Sequence, residues 1–189
     1  MTTTLTKVDT TAARSPMKTR SGKRIDFLNP DPSQIVLEDI AFSLAYTNRF
    51  NGHVGLYSVA EHSVLCAIEA QLRGHDKEIQ RLALMHDAAE AYVGDIVRPL
   101  KILCPTVREI EGIVHNAIAD RFDLKPMCEA VRSIDNSLLA VEIAKLRLDE
   151  EVPDADPVHP YIASCIVPTW SAQNARHSFL AHANRLGIR

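Results

Sequence analysis

An adjacent histidine and aspartate, His86-Asp87, lie inside the run Leu82-Ala83-Leu84-Met85-His86-Asp87-Ala88-Ala89-Glu90, which is otherwise apolar and helix-forming. Removing an imidazole and a carboxylate from water side by side is costly unless something satisfies both. A divalent cation would do so, because both groups are metal donors. Glu90 follows His86 by four residues and Asp87 by three, so on a helix the three side chains occupy neighbouring parts of one face. Upstream, His62 follows Glu61 in Tyr57-Ser58-Val59-Ala60-Glu61-His62-Ser63. Downstream, Asp135 sits in Val131-Arg132-Ser133-Ile134-Asp135-Asn136-Ser137-Leu138-Leu139, early in an apolar helix where an unpaired charge is out of place. His62, His86, Asp87 and Asp135 are therefore candidate ligands of one ion. Asp120 and Asp123 compete with Asp135, although both lie where solvent exposure is the ordinary case.

The elements that must position these residues are helical. Asn29-Pro30-Asp31-Pro32 is a turn, since each proline restricts the residue before it. A helix is expected from Leu37 to Asn48, with Ile40, Ala41 and Leu44 on one side. Phe50 to Gly55 is a loop marked by two glycines. Ser58-Val59-Ala60-Glu61 is a capping-box sequence, so a helix begins near Ser58 and runs to about Arg73. Gly74 breaks it, and Asp76 caps a second helix, expected from Lys77 to Val93 and ended by Gly94. That short break lets the two helices pack antiparallel and brings His62 opposite His86. Asp95 to Lys101 reads as a connector holding Pro99. Helices follow over about Thr106–Phe122, Met127–Glu150 and Ala172–Leu186, and Asp149 to Pro160 is an acidic, proline-containing surface loop. Ile162 to Val167 is too short to assign. Trp170 with Phe179 anchors the last helix to the core.

Bulk properties bound the answer. At 189 residues the chain fits one all-α domain, a helical bundle expected over 25–189, behind a flexible N-terminal arm, 1–24, rich in Thr, Lys and Arg. It is 46% apolar and 24% charged, ordinary for a soluble protein. The net charge of −3 argues against binding polymeric nucleic acid, which calls for a basic stripe. Cys66, Cys104, Cys128 and Cys165 form no C-x-x-C pair and read as free thiols. No apolar run reaches membrane-spanning length and the first residues lack a secretory signal, so a cytoplasmic location with no membrane partner is expected. No Walker loop is present.

The ordered set His62, His86-Asp87 and Asp135 resembles the signature of the HD superfamily of metal-dependent phosphohydrolases. The flanking segments Ala60-Glu61-His62-Ser63, His86-Asp87-Ala88-Ala89-Glu90 and Gly94-Asp95-Ile96, with Pro99 and Lys101 and with Arg49-Phe50 upstream, are similar to its bacterial 5′-deoxynucleotidase branch. A similar arrangement occurs in short phage enzymes that strip triphosphate from deoxyadenosine triphosphate. The resemblance covers roughly Ile35 to Leu146. It implies a single HD-domain helical bundle holding one divalent ion (cobalt, manganese, zinc, iron or magnesium) on His62, His86, Asp87 and Asp135. It further implies that Glu90 activates or positions water, that Asp95 is a second catalytic carboxylate, and that Arg49 and Lys101 hold phosphate oxygens. Asp135 rests partly on Glu142, which follows it as in the family's last helix.

This inventory suits phosphate-ester hydrolysis. A bound metal lowers the pKa of its water, cations neutralise the phosphoryl oxygens, and a carboxylate moves the proton. Each residue also has a plainer role. Glu90 could pair with Arg98 or Lys101, Asp95 could cap a turn, Arg49 could be a helix-end cation, and Lys101 could be a surface lysine. His53, in the loop near the site, is a candidate for substrate contact or an exposed loop histidine. Tyr57 packs beside the site or at the start of the helix. His75, His115, His159, His177 and His182 lack a ligand pattern and read as surface or structural.

The function expected is hydrolysis of nucleotides, foremost 2′-deoxynucleoside 5′-monophosphates to nucleoside and phosphate. The alternatives are a deoxynucleoside triphosphate triphosphohydrolase releasing tripolyphosphate, with Arg98, Lys18, Arg20 and Lys23 available to an extended phosphate tail, and a non-catalytic nucleotide sensor. A structural helical adaptor would leave the buried charges without a reason. The relatives suggest a homo-oligomer.

Overall fold

The computed structural model describes residues 16–146, 152, 155–166 and 169–189. The helices are α1 (Leu37–Tyr46), α2 (Val59–Leu72), α3 (Lys77–Met85), α4 (Glu90–Val93), α5 (Arg98–Leu103), α6 (Pro105–Phe122), α7 (Glu129–Lys145), α8 (Pro160–Cys165) and α9 (Ala172–Arg185). The described strands are β1 (Met17–Lys18) and β2 (Arg24–Ile25), an antiparallel two-residue pair. The all-α expectation holds.

α2 is the central helix. It packs against α3, α9, α7 and α1, and its residues from Val59 to Ala67 are all buried. A helix apolar on every side belongs inside a bundle rather than at its surface, and this one carries Glu61 and His62 into the interior with it. Ile40, Ala41 and Leu44 of α1, Ala175, Phe179 and Ala183 of α9, and Val59, Ala60 and Val64 of α2 fill one part of the core. Leu65 and Ala70 of α2 meet Leu82 of α3 and Val131, Ile134 and Leu138 of α7 in the other. Trp170 packs, partly buried, against both, and Phe179 is fully buried, as expected of anchors for α9.

Several starts and stops follow local chemistry. Ser58 accepts a hydrogen bond from the Glu61 amide, and Asp76 accepts one from the Ile79 amide, so both expected caps form. The capping box at Ser58 is only half made. The Glu61 carboxylate accepts from the Trp170 amide at 3.0 Å, tying α2 to the start of α9.

The structure departs from or adds to the expected elements at four places. The helix expected over Lys77–Val93 ends at Met85, and residues 86–89 form a tight turn before α4. Its amides bond three residues back, Ala88 to Met85 and Glu90 to Asp87, so the backbone tightens where the His86-Asp87 pair sits. The expected connector Asp95–Lys101 contains the start of α5, which carries Lys101. The undecided stretch 162–167 falls largely in α8. The expected arm, 1–24, is folded at its far end: β1 pairs with β2, and Ser21 donates both its amide and its hydroxyl to Asp39 at 2.9 and 2.6 Å. The rest of that expectation, 1–15, lies outside the described residues, as does the end of the helix expected to reach Glu150. Among the described residues, no helix is long and apolar enough to cross a membrane.

Candidate metal centre

His62 projects from the second turn of α2, His86 and Asp87 from the turn after α3, and Asp135 from α7. The antiparallel pairing of α2 and α3 sets the two imidazole rings 5.3 Å apart, centroid to centroid. Their Nε2 atoms face each other at 3.4 Å. Asp135 Oδ1 lies 3.1 Å from His62 Nε2 and 3.7 Å from His86 Nε2. Asp87 Oδ2 lies 3.2 Å from His86 Nε2 and 3.8 Å from His62 Nε2. The four residues expected to converge do so, while the competing Asp120 and Asp123 are exposed.

The outer nitrogens fix what these atoms can do. His86 Nδ1 lies 2.8 Å from the Ala83 carbonyl, which can only accept, so Nδ1 carries a hydrogen. His62 Nδ1 lies 2.6 Å from Glu142 Oε1 and likewise donates to an acceptor. In the neutral rings both Nε2 atoms then present lone pairs to each other and to two carboxylates. Four acceptors in one cluster repel unless a positive charge lies among them. Donors about 2.0–2.2 Å from a shared ion stand about 3.3–3.6 Å apart around a tetrahedron, and the observed separations bracket that range. The residues fit a divalent cation.

The electrostatics say the same. Burial opposes charging His86, yet Asp87 and Asp135 carry it well above the usual histidine range. Burial and Arg49 oppose charging His62, but Cys66, Glu142 and Asp135 raise it likewise. Burial would raise Asp87, but His86 holds it at about 2. Asp135, also opposed by burial, is held far below the carboxylate range by its bonds to His62 and His86. The cage calls for positive charge, which a proton on Nε2 or a metal ion would supply in competition.

Glu142 is the residue the sequence reading did not assign a role. It is fully buried on α7 and gathers the supports of the centre. Its Oε1 accepts from His62 Nδ1 and from the Tyr57 hydroxyl at 2.7 Å, and its Oε2 from Arg49 Nε and Nη2 at 3.2 and 3.0 Å. Despite its burial, Arg49 and His62 hold Glu142 at about 2. A carboxylate behind a ligating histidine fixes its tautomer and orientation. Arg49 is thus anchored behind the centre, and Nη1, 3.5 Å from Asp87 Oδ2, is the nitrogen nearest the cluster. The base of its loop is closed by the Arg49 amide donating to the Tyr57 carbonyl at 2.8 Å. Phe50 and Asn51 follow with φ of 54° and 52°, a conformation bulky side chains rarely take. Closure and strain set Arg49 and Tyr57 side by side against Glu142.

A second set lies beside the first. Glu90 opens α4 and is buried. Its Oε1 stands 3.4 Å from Lys101 Nζ, and its Oε2 has no hydrogen-bond partner among the described residues. Burial, reinforced by the charges of Asp87 and Asp95, pushes Glu90 up to about 9. Asp95, partly buried, is raised by burial and by Asp87 against the pull of Arg49 and Lys101. Gly94 closes α4 with φ of 82°, which a side chain would resist, and delivers Asp95 to this position. Lys101 is held by Glu111 of α6 at 2.8 Å. So Glu90 does pair with Lys101, one of the plainer readings, but keeps a free oxygen. His115 of α6, read as surface or structural, is half-buried, and burial together with the charge of His86 lowers its pKa. His53 is exposed in its loop.

Cys66, expected only as a free thiol, also stands at the centre. It is fully buried, its Sγ lies 3.4 Å from His62 Nε2, and one donor atom from each of His62, Cys66, His86 and Asp135 falls within 4.8 Å of the others. That buried group could bind a metal ion. The remaining thiols are half-buried and free.

No family model matches the sequence. The chain is 40% identical over 136 residues to the uncharacterized protein YfdR of Escherichia coli (strain K12), covering 71% of this chain and 74% of that protein. It is 36% identical over 137 residues to an uncharacterized protein of Rhodobacter capsulatus, covering 69% of each chain. Identity of this order over more than two thirds of both partners places the chain in one family with YfdR.

Proposed function

We propose that the protein is a metal-dependent phosphohydrolase of the HD type that acts on a nucleotide, foremost a 2′-deoxynucleoside 5′-monophosphate. The observation that carries this reading is the pair of Nε2 atoms 3.4 Å apart, flanked by Asp87 and Asp135, with the buried carboxyl of Glu90 nearby. His62, His86, Asp87 and Asp135 would hold the ion. When bound, a divalent ion makes water acidic enough to attack near neutral pH and draws charge from a phosphoryl oxygen.

The chain's own residues supply the rest. Glu142 holds His62 in the tautomer that leaves Nε2 free. Arg49 turns Nη1 toward the cluster, where it can donate to one phosphoryl oxygen. Lys101 holds Glu90 by one oxygen, leaving the other to carry a proton toward the leaving group or to take one from water. Asp95 lies close enough for its charge to help raise Glu90.

The supply of cations favours a short phosphate. Arg49 is engaged by Glu142 and Lys101 by Glu111, so a triphosphate would need cations from elsewhere. Release of tripolyphosphate from a deoxynucleoside triphosphate is the second reading. A sensor without turnover has no use for a buried carboxyl with an orphan oxygen. The deciding experiment is a panel of ribo- and deoxynucleoside mono-, di- and triphosphates assayed with cobalt, manganese, zinc, iron and magnesium. Orthophosphate from monophosphates is expected. Tripolyphosphate would select the second reading, and no product with any metal would overturn hydrolysis.

A further inference from the structure

We infer that Cys66 is itself a ligand of the ion and biases the centre toward thiophilic metals; this rests on the metal reading of His62, His86, Asp87 and Asp135. The signal is local. Cys66 follows His62 by four residues on α2, so both donors stand on one face, one turn apart. The Sγ–Nε2 separation is 3.4 Å. An ion about 2.3 Å from a thiolate and about 2.0–2.1 Å from an imidazole nitrogen separates the two by about 3.6 Å at a tetrahedral angle. Sulfur therefore stands about where a ligand would stand. One donor atom from each of Cys66, His62, His86 and Asp135 lies within 4.8 Å of the others.

The alternative role of Cys66 is that of a small apolar side chain, since it packs in the same part of the core as Tyr57, Leu65, Ala70 and Leu82. That role accounts for burial but not for direction. With the His62 ring neutral, the thiol faces the lone pair of Nε2 and can give it a weak S–H hydrogen bond. The same lone pair cannot accept that hydrogen and hold an ion. A cation at Nε2 would take the acceptor of the S–H and leave the sulfur, 3.4 Å from that nitrogen, turned toward the ion as a further donor. A set of two imidazoles and two carboxylates discriminates poorly among divalent metals. A thiolate added to it raises affinity for zinc, cobalt and iron(II) over magnesium and manganese.

Cobalt(II) reports sulfur ligation directly. Metal-free wild type, Cys66→Ser and Cys66→Ala are loaded with Co(II), bound metal is counted, and the near-ultraviolet absorbance is recorded. The expected result is about one cobalt per chain in all three, with a sulfur-to-cobalt charge-transfer band in wild type alone. In competition titrations Cys66→Ala should lose at least about tenfold in zinc affinity, with a much smaller change for manganese. Cobalt bound by wild type without that band, or an unchanged spectrum in Cys66→Ser, would overturn the role of Cys66 and leave the metal reading standing. No cobalt bound by wild type would overturn both. Should either variant fail to fold, the wild-type spectrum still decides.

Discussion

Asp87 and Glu90 are three residues apart on one turn of chain, yet the first is held at about 2 and the second pushed to about 9. Both are carboxylates and both are withdrawn from water, so neither residue type nor burial separates them. What differs is the sign of the nearest charge. Asp87 faces His86, with Arg49 behind it. Glu90 faces Asp87 and Asp95, and the stronger of the cations that lower it, Lys101, is shared with Glu111. Neighbouring acids driven apart in this way take different tasks, one holding positive charge and the other holding a proton. The contrast belongs to the metal-free cage. An ion among His62, His86, Asp87 and Asp135 would add positive charge near Glu90 and lower its pKa toward the working range.

Breaking the cation-seeking side outright should have the largest effect. Asp135→Asn removes a charged donor 3.1 Å from His62 Nε2, and both bound metal and turnover should fall below detection. Retention of about one ion per chain would remove Asp135 from the cage. Next comes its support. Glu142→Gln leaves the buried Arg49 guanidinium without its counter-charge and should cost about 3–5 kcal/mol of stability, read by urea denaturation of the metal-free protein. Glu142 also sets an acid limb. Its folded pKa lies below the unfolded value, at about 2 against 4.5, so its stabilisation is present above 4.5 and is lost as pH falls toward 2. The Gln variant should lack that loss.

The proton-holding side predicts the opposite slope. Glu90 has a folded pKa raised from 4.5 to about 9, so the folded metal-free protein binds the extra proton between those values. Its contribution is favourable below 4.5 and is lost as pH rises toward 9. Glu90→Gln, neutral throughout, should therefore gain stability relative to wild type across that window. The same variant should keep its metal and lose turnover by about 10²–10⁴-fold. Unchanged turnover would take Glu90 out of the mechanism. The smallest effect is expected for Lys101→Met, which removes one of the two cations that lower Glu90. The pH profile of turnover should move to higher pH, by less than the Glu90 substitution costs; an unmoved profile would uncouple Lys101 from Glu90.

The ends of α2 and α3 were legible because Ser58 and Asp76 bond to amides within three residues, a distance that sequence spacing reports. His62, His86, Asp87 and Asp135 stood out for a related reason. Each is a costly group set in an apolar run, and the short link at Gly74 leaves α2 and α3 little choice but to face each other. The same local reasoning failed at residues 86–89. Helix-forming residues gave no warning that the turn would tighten there.

The sequence by itself determined an all-α chain, the starts of its inner helices and the donors able to share an ion, because periodicity and capping act over a few residues. Only the tertiary structure decided what stands behind and beside those donors. Glu142 lies 93, 85 and 80 residues from Arg49, Tyr57 and His62, the groups it holds. The spacing of Cys66 four residues after His62 put both on one helix face, but packing decided that His86 and Asp135 close on the same point. Whether Glu90 carries a proton likewise depends on which charges Asp87, Asp95 and Lys101 bring within reach, and that is set by how α4, α5 and α6 pack.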